Sequence, residues 1–244
     1  MLAYPLTDQV RRVARCELHL GGASWSYATD HAAAIEAGWR TATLAHPQYF
    51  NGVVHLIDKV QFSADVLHAR VLRTDFKSYL YWRTAGFPQT GVRDGFGSAL
   101  IRAGDGAILL GRQRQGNVNG GLTYLPGGFI DARDVDADGQ IDISSSVSRE
   151  LHEETGLGRG DVEIVPGFLV TETGAHVSIA KMFRSNHDAD ALKAQMMQHL
   201  ASDPASELDD IAIVRRAADL DGLAMPRYAQ ILAGWVLANE CSGD

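Results

Sequence analysis

The sequence predicts an α+β protein in two parts, a smaller N-terminal α+β domain over residues 1–90 and a larger domain over residues 91–244. Three observations carry this. Strand-like and helical patterns are mixed along the chain. Gly86-Phe87-Pro88-Gln89-Thr90-Gly91 is dense in turn formers, as a boundary would be. From Phe96 the pattern changes to short strands punctuated by glycine turns, with amphipathic helices between them.

In the first part, residues 28–40 read as a helix, with Ala32, Ile35 and Trp39 at helical spacing. Val66–Leu72 alternates apolar and polar side chains as a half-buried strand does, and the aromatic run Lys77–Trp82 reads as a strand. In the second part, Ser98–Arg102 and Ala107–Gly111 read as strands joined by the tight turn Gly104-Asp105-Gly106. Thr123–Leu125 is a short strand running into Pro126-Gly127-Gly128. A helix is expected from Ile143 to Thr155, stopped by Gly156. Strands follow near 162–165, 168–171 and 177–183, then a helix with Leu192, Met196 and Leu200 on one face. A strand over Ile211–Val214 and a closing helix over Arg227–Asn239 complete the reading.

With 244 residues the chain is long enough to bury a large core. No apolar run approaches the ~18 residues that span a bilayer, and residues 1–12 lack the pattern of a signal peptide. Cys16 and Cys241 form no CxxC pair, which argues against zinc and a disulfide framework and for a reducing cytoplasm. The net charge of −8 and the absence of a basic run argue against a nucleic-acid partner. A phosphate ligand would need local arginines or a metal to reverse that field.

The informative segment is Arg149-Glu150-Leu151-His152-Glu153-Glu154-Thr155-Gly156-Leu157. On a helix, spacings of three and four put Glu150, Glu153 and Glu154 on one face. Like charges so placed repel, and a divalent cation turns that repulsion into a site. Hard oxygen ligands suit Mg²⁺, with Mn²⁺ as a substitute. A solvated acidic helix face is the competing reading.

The run resembles the second half of the box of the Nudix hydrolase family, and Leu125-Pro126-Gly127-Gly128-Phe129-Ile130-Asp131 resembles its entry. The resemblance implies an α/β/α sandwich around a mixed sheet. It also implies metal-dependent cleavage of a phosphoric anhydride in a nucleoside-diphosphate compound. On it, Glu150, Glu154 and Glu153 hold the metal with the carbonyl of Gly127, Arg149 orients Glu150, and Glu153 or Glu207 is the base. Arg112, Arg114 and Glu172 are candidate substrate contacts, against the alternative of ordinary strand-end side chains. The family also includes UDP-glucose hydrolases with an extra N-terminal domain and a lengthened box. Trp39, Pro47 with Phe50, Thr74-Asp75-Phe76 and Thr171-Glu172-Thr173-Gly174-Ala175 are similar to that subgroup. The implied reaction releases UMP and a sugar 1-phosphate. Hydrolysis of ADP-ribose or damaged nucleotides and a non-catalytic ligand sensor are the alternatives. The three glutamates favour an enzyme, and a homodimer is left open.

The box departs from the family pattern. Twenty residues separate Gly128 from Arg149, seven more than the pattern has, and its internal glutamate is missing. Asp131 or Asp142 is a candidate replacement. The insertion also reads as the start of a calcium loop. Asp134, Asp136 and Asp138 fall at positions one, three and five, Gly139 at six, Gln140 at seven and Asp142 at nine. Position twelve is Ser145 rather than glutamate, and the competing reading is a polar hairpin.

Overall fold

The structure, a computed structural model, describes Tyr4 and residues 7–239. Cys241 and part of the N-terminal segment fall outside the described residues. The elements run β1 (Gln9–Val13), β2 (Arg15–Leu20), α1 (Ser26–Asp30), α2 (Ala32–Ala45), β3 (Val53–Ser63), β4 (Val66–Asp75), α3 (Phe76–Thr84), β5 (Asp94–Arg102) and β6 (Ile108–Gln113). They continue with β7 (Thr123–Tyr124), β8 (Gln140–Ile141), α4 (Ile143–Thr155), β9 (Glu163–Ile164), β10 (Phe168–Thr173), β11 (His176–Arg184), α5 (Ala189–Ser202), β12 (Leu208–Val214) and α6 (Arg227–Asn239).

The expected α+β fold is present, with two mixed sheets. The larger has the order β1-β10-β11-β5-β6-β12, with β7 on β6 and β9 on β11. Its centre is the parallel pair β5–β11, and its other pairs are antiparallel. All nine residues of β5 are buried, because the sheet is covered on both faces. Ala99 and Ile101 face Ile143, Val147 and Leu151 of α4 and Leu192 and Met196 of α5. Phe96 and Leu100 face Tyr228, Leu232 and Val236 of α6. The smaller sheet has the order β3-β4-β2-β8.

The two sheets exchange strands across residue 90. β1 pairs with β10 of the larger sheet, while β8, from the inserted loop, pairs with β2 of the smaller one. Ile57 and Arg93 also exchange both backbone hydrogen bonds. The insertion thus ties the N-terminal part to the segment just before α4.

One expected strand is a helix. Residues 77–82 belong to α3, because the Asp75 side chain caps it by accepting the N–H of Ser78 at 3.0 Å. A strand would put Tyr79 and Trp82 on opposite faces, whereas a helix buries both on one side. The expected helix over 28–40 is likewise two helices, divided at His31.

Candidate active site

α4 begins at Asp142, whose side chain accepts the N–H of Ser145 at 3.0 Å and its hydroxyl at 2.7 Å. It ends at Gly156, in the left-handed region at φ 72°. Val147 and Leu151 anchor it to the core, and the Arg149–Glu154 segment presents the acidic groups.

The glycines of the 125–131 segment let its backbone reach these carboxylates. The N–H of Gly127 donates to Glu154 Oε2 at 2.7 Å. A methyl group on Gly127 would lie 2.2 Å from the carbonyl oxygen of Gly97, and one on Gly128 would lie 2.8 Å from a Glu150 carboxylate oxygen. Gln113 of β6 approaches Glu154 from the other side at 3.4 Å.

Glu207 comes from the turn before β12 and joins the same electrostatic cluster. Burial raises the Glu154 carboxyl well above the usual range, and the charge of Glu207 adds to it. Glu150 is pushed up to about 7 by burial first and then by Glu153. Glu207 is raised by burial and by Glu153. Glu150, Glu154 and Glu207 are therefore too buried and too close to one another's charge, and to that of Glu153, for all three to ionise easily.

Two arginines lie over the cluster. Arg133 approaches Glu153 at 3.6 Å and Glu150 at 3.8 Å, while paired with Asp131 at 2.7 Å. Arg149 lies 3.5 Å from Glu150 and 3.9 Å from Glu153, but its short contact is to Asp134 at 2.8 Å. Asp134 is thus the partner of the arginine in the inserted loop. Asp131 is held by Arg133 and Asp142 is spent as the cap of α4, so neither takes that place.

The calcium reading of the loop gains no support. One Asp134 oxygen is bound to Arg149, and the other accepts the N–H of Asp131. Asp136 Oδ1 accepts the N–H groups of Asp138 and Gln140. The backbone closes between Asp136 and Gln140, and Val135 bridges Ile141. The segment is a polar hairpin whose aspartates stabilise its turn.

As the side chains stand, no three His, Cys, Asp or Glu groups among the described residues converge as a metal shell would. The donor chemistry nevertheless fits a hard divalent cation. Burial and the neighbouring glutamate charges, that of Glu153 included, raise the proton affinity of Glu150, Glu154 and Glu207, and a bound cation relieves that repulsion.

A cleft of about 910 Å³ opens beside this cluster, with Glu150, Glu207, Gly127, Gly128 and Asp131 on its wall. Its other wall comes from residues before 90, including Phe50, Phe76, Tyr79, Arg83 and Phe87. Asp94, Phe96, His176 and Tyr228 line it too.

Arg112, Arg114 and Glu172 do not line the cleft. Arg112 pairs across strands with Asp209 at 2.7 Å. Arg114 donates to the carbonyls of Pro204 and Leu208. Glu172 is buried against Arg93 at 2.5 Å. Arg83, by contrast, lies on the wall, held by a bond to the carbonyl of Val118 at 3.2 Å. It sits just beyond the run that reads as a strand, where no motif marks it. Asp94 and His176 likewise carry no local signal.

The αβα arrangement thus sets an acidic helix beside a cleft of about 910 Å³. Residues 91–191 match the family model described as the NUDIX domain. No curated protein matches the chain. Among solved structures, a MutT protein from Methanosarcina mazei Go1 is 24% identical over 62% of this chain and 96% of its own, with a TM-score of 0.39. A Nudix hydrolase from M. smegmatis, RenU, is 18% identical over 62% and 86%, with a TM-score of 0.39. A bifunctional NMN adenylyltransferase/ADP-ribose pyrophosphatase from Francisella tularensis is 17% identical over 67% of this chain and 46% of its own, with a TM-score of 0.40. Among the described residues, no helix is long and apolar enough to cross a membrane.

Proposed function

We propose that this protein hydrolyses the phosphoric anhydride of a nucleoside-diphosphate-linked compound with the help of a divalent cation. The observation that carries the reading is the meeting of Glu150, Glu153, Glu154 and Glu207 beside the large cleft, inside a Nudix domain. Glu150, Glu154 and Glu153 would hold Mg²⁺ or Mn²⁺ together with the carbonyl of Gly127. When bound, such an ion polarises a phosphoryl oxygen and lowers the pKa of water.

The protein's own groups supply the rest. Glu207 is the favoured base, because it lines the cleft and its raised proton affinity suits proton uptake near neutral pH. Glu153 is half exposed, engaged by arginines and not on the cleft wall. Arg83 holds a phosphate by a charge-assisted contact. Arg149, held by Asp134, positions Glu150 and Glu153.

Within this class we favour a UDP-sugar, cut to UMP and a sugar 1-phosphate. The lengthened box, the N-terminal part that walls the cleft and the Thr171–Ala175 segment support that choice. The test is to incubate the protein with Mg²⁺ and UDP-glucose, ADP-ribose, NADH and oxidised nucleoside triphosphates, and to identify products by mass. UMP and glucose 1-phosphate at the highest kcat/KM support the full reading. A different leading substrate removes the UDP-sugar assignment, and no cleavage of any compound removes the hydrolase.

A further inference from the structure

β5, β11 and β10 set three polar residues in one row. His176 lies opposite Asp94 in the parallel pair and opposite Thr173 in the antiparallel pair. Directly paired residues project from the same face of a sheet. The next row on that face holds Phe96, whose ring lies 4.7 Å from Tyr228 of α6.

Asp94 is 3% exposed. Its Oδ2 accepts the hydroxyl of Tyr79 at 2.9 Å, but its Oδ1 has no hydrogen-bond partner. Thr173 Oγ1 has none either. A dry carboxylate oxygen without a donor is costly, and folded proteins rarely leave one so. Imidazolium does not neutralise it, because burial lowers the pKa of His176 to about 4. The surroundings are flat rings: Phe87 meets His176 edge-on at 4.9 Å, and Phe96 is 6.3 Å from His176. Asp94, Phe87, Phe96, His176 and Tyr228 all line the cleft. Rings stack on a planar heterocycle, and an unused carboxylate oxygen asks that heterocycle for an N–H.

We propose that this end of the cleft is a nucleobase subsite, in which Asp94 Oδ1 accepts an N–H from a base packed among Phe87, Phe96 and Tyr228. Asp94 is then a specificity-determining residue. It discriminates by the N–H that a base offers, while Tyr79 fixes the carboxylate by occupying its other oxygen. The proposal rests on the reading that the cleft holds a nucleotide, but not on any cleavage.

The test is calorimetric binding of AMP, CMP and UMP to the full chain. Matched analogues lack the base N–H: purine riboside 5′-monophosphate, the 4-deamino analogue of CMP, and N3-methyl-UMP. The best-bound nucleotide should lose at least about tenfold in affinity when its N–H is absent, as a site built around a hydrogen bond rejects an analogue lacking it. Asp94→Leu, which removes the acceptor, should abolish that discrimination and leave the weak binding of ribose 5-phosphate unchanged. Equal binding of nucleotide and analogue, discrimination that survives Asp94→Leu, or no binding of any monophosphate at millimolar concentration overturns the proposal. The wild-type comparison decides the matter even if the variant does not fold. N–H discrimination without hydrolysis of any anhydride would leave the subsite standing and remove the hydrolase reading, and hydrolysis without discrimination would do the reverse.

Discussion

Asp134 and Arg149, fifteen residues apart, form a 2.8 Å ion pair that fastens the inserted loop to the acidic helix. The Asp134 side chain is 1% exposed and that of Arg149 is 26% exposed. The pair joins a segment tied to the smaller sheet through β8 with a helix packed on the larger one.

Asp134→Ala should therefore lower stability by about 1–3 kcal/mol, the range for losing a hydrogen bond to a charged group. Urea unfolding of Asp134→Ala, Arg149→Ala and the double variant gives the coupling. A coupling energy of at least about 1 kcal/mol is expected for residues in direct contact. Strictly additive losses would mean that the pair holds nothing.

Glu154→Gln keeps the side-chain volume and removes a charge that burial and Glu207 disfavour. Turnover should fall at least about a hundredfold, the scale for losing an electrostatic element of a transition state. The melting temperature should not fall. Hydrolysis by the wild type in excess EDTA, or full activity in the variant, would contradict the metal role.

The raised carboxyls make a signed prediction about pH. Glu150 goes from an ordinary 4.5 up to about 7 in the folded protein. The folded state then binds a proton more tightly than the unfolded one. The stability this contributes is complete below about pH 4.5 and is lost as pH rises through about 7. Thermal melts in EDTA should show a decline over that window that is shallower in Glu150→Gln. Mg²⁺ should restore stability at pH 8 and do little at pH 5. Identical pH slopes for the two proteins would remove Glu150 as the source.

Gly127→Ala and Gly128→Ala should separate backbone strain from ligand placement. Gly127 has φ 153°, and an added methyl would collide with the carbonyl of Gly97. A loss of more than about 1 kcal/mol is expected where alanine cannot adopt the native conformation. At Gly128 the added methyl meets the movable carboxylate of Glu150. That variant should keep most of its stability and bind Mg²⁺ more weakly in a titration. Equal effects of both changes on both readouts would overturn the distinction.

Arg83 and Arg112 should behave differently. Arg83 lies on the cleft wall, whereas Arg112 is paired with Asp209 away from it. Arg83→Met should raise KM at least about tenfold, as loss of a charge-assisted phosphate contact would. Arg112→Met should leave KM within about twofold, as a surface ion pair contributes little. A KM response to Arg112 alone would reverse the two assignments.

The sequence by itself determined the elements whose pattern is local. Helical spacing and a glycine stop placed α4 over Ile143–Thr155 and put Glu150, Glu153 and Glu154 on it. Residues 227–239 form the closing helix for the same reason. Only the tertiary structure decided what depends on chain segments meeting. Residues 77–82 became a helix because Asp75 caps it and because Tyr79 and Trp82 are buried together. Asp134, not Asp131 or Asp142, reached Arg149, since the hairpin and the helix cap engaged the other aspartates. The strand exchange of β1 and β8 across residue 90 left no local trace, because pairing partners lie far apart in the chain. Arg83, Asp94 and His176 carry no motif, and they come to line one cleft only after α3, β5 and β11 have packed. Local spacing fixes which face of a helix a residue occupies, whereas a site is fixed by the long-range burial that chooses which faces meet.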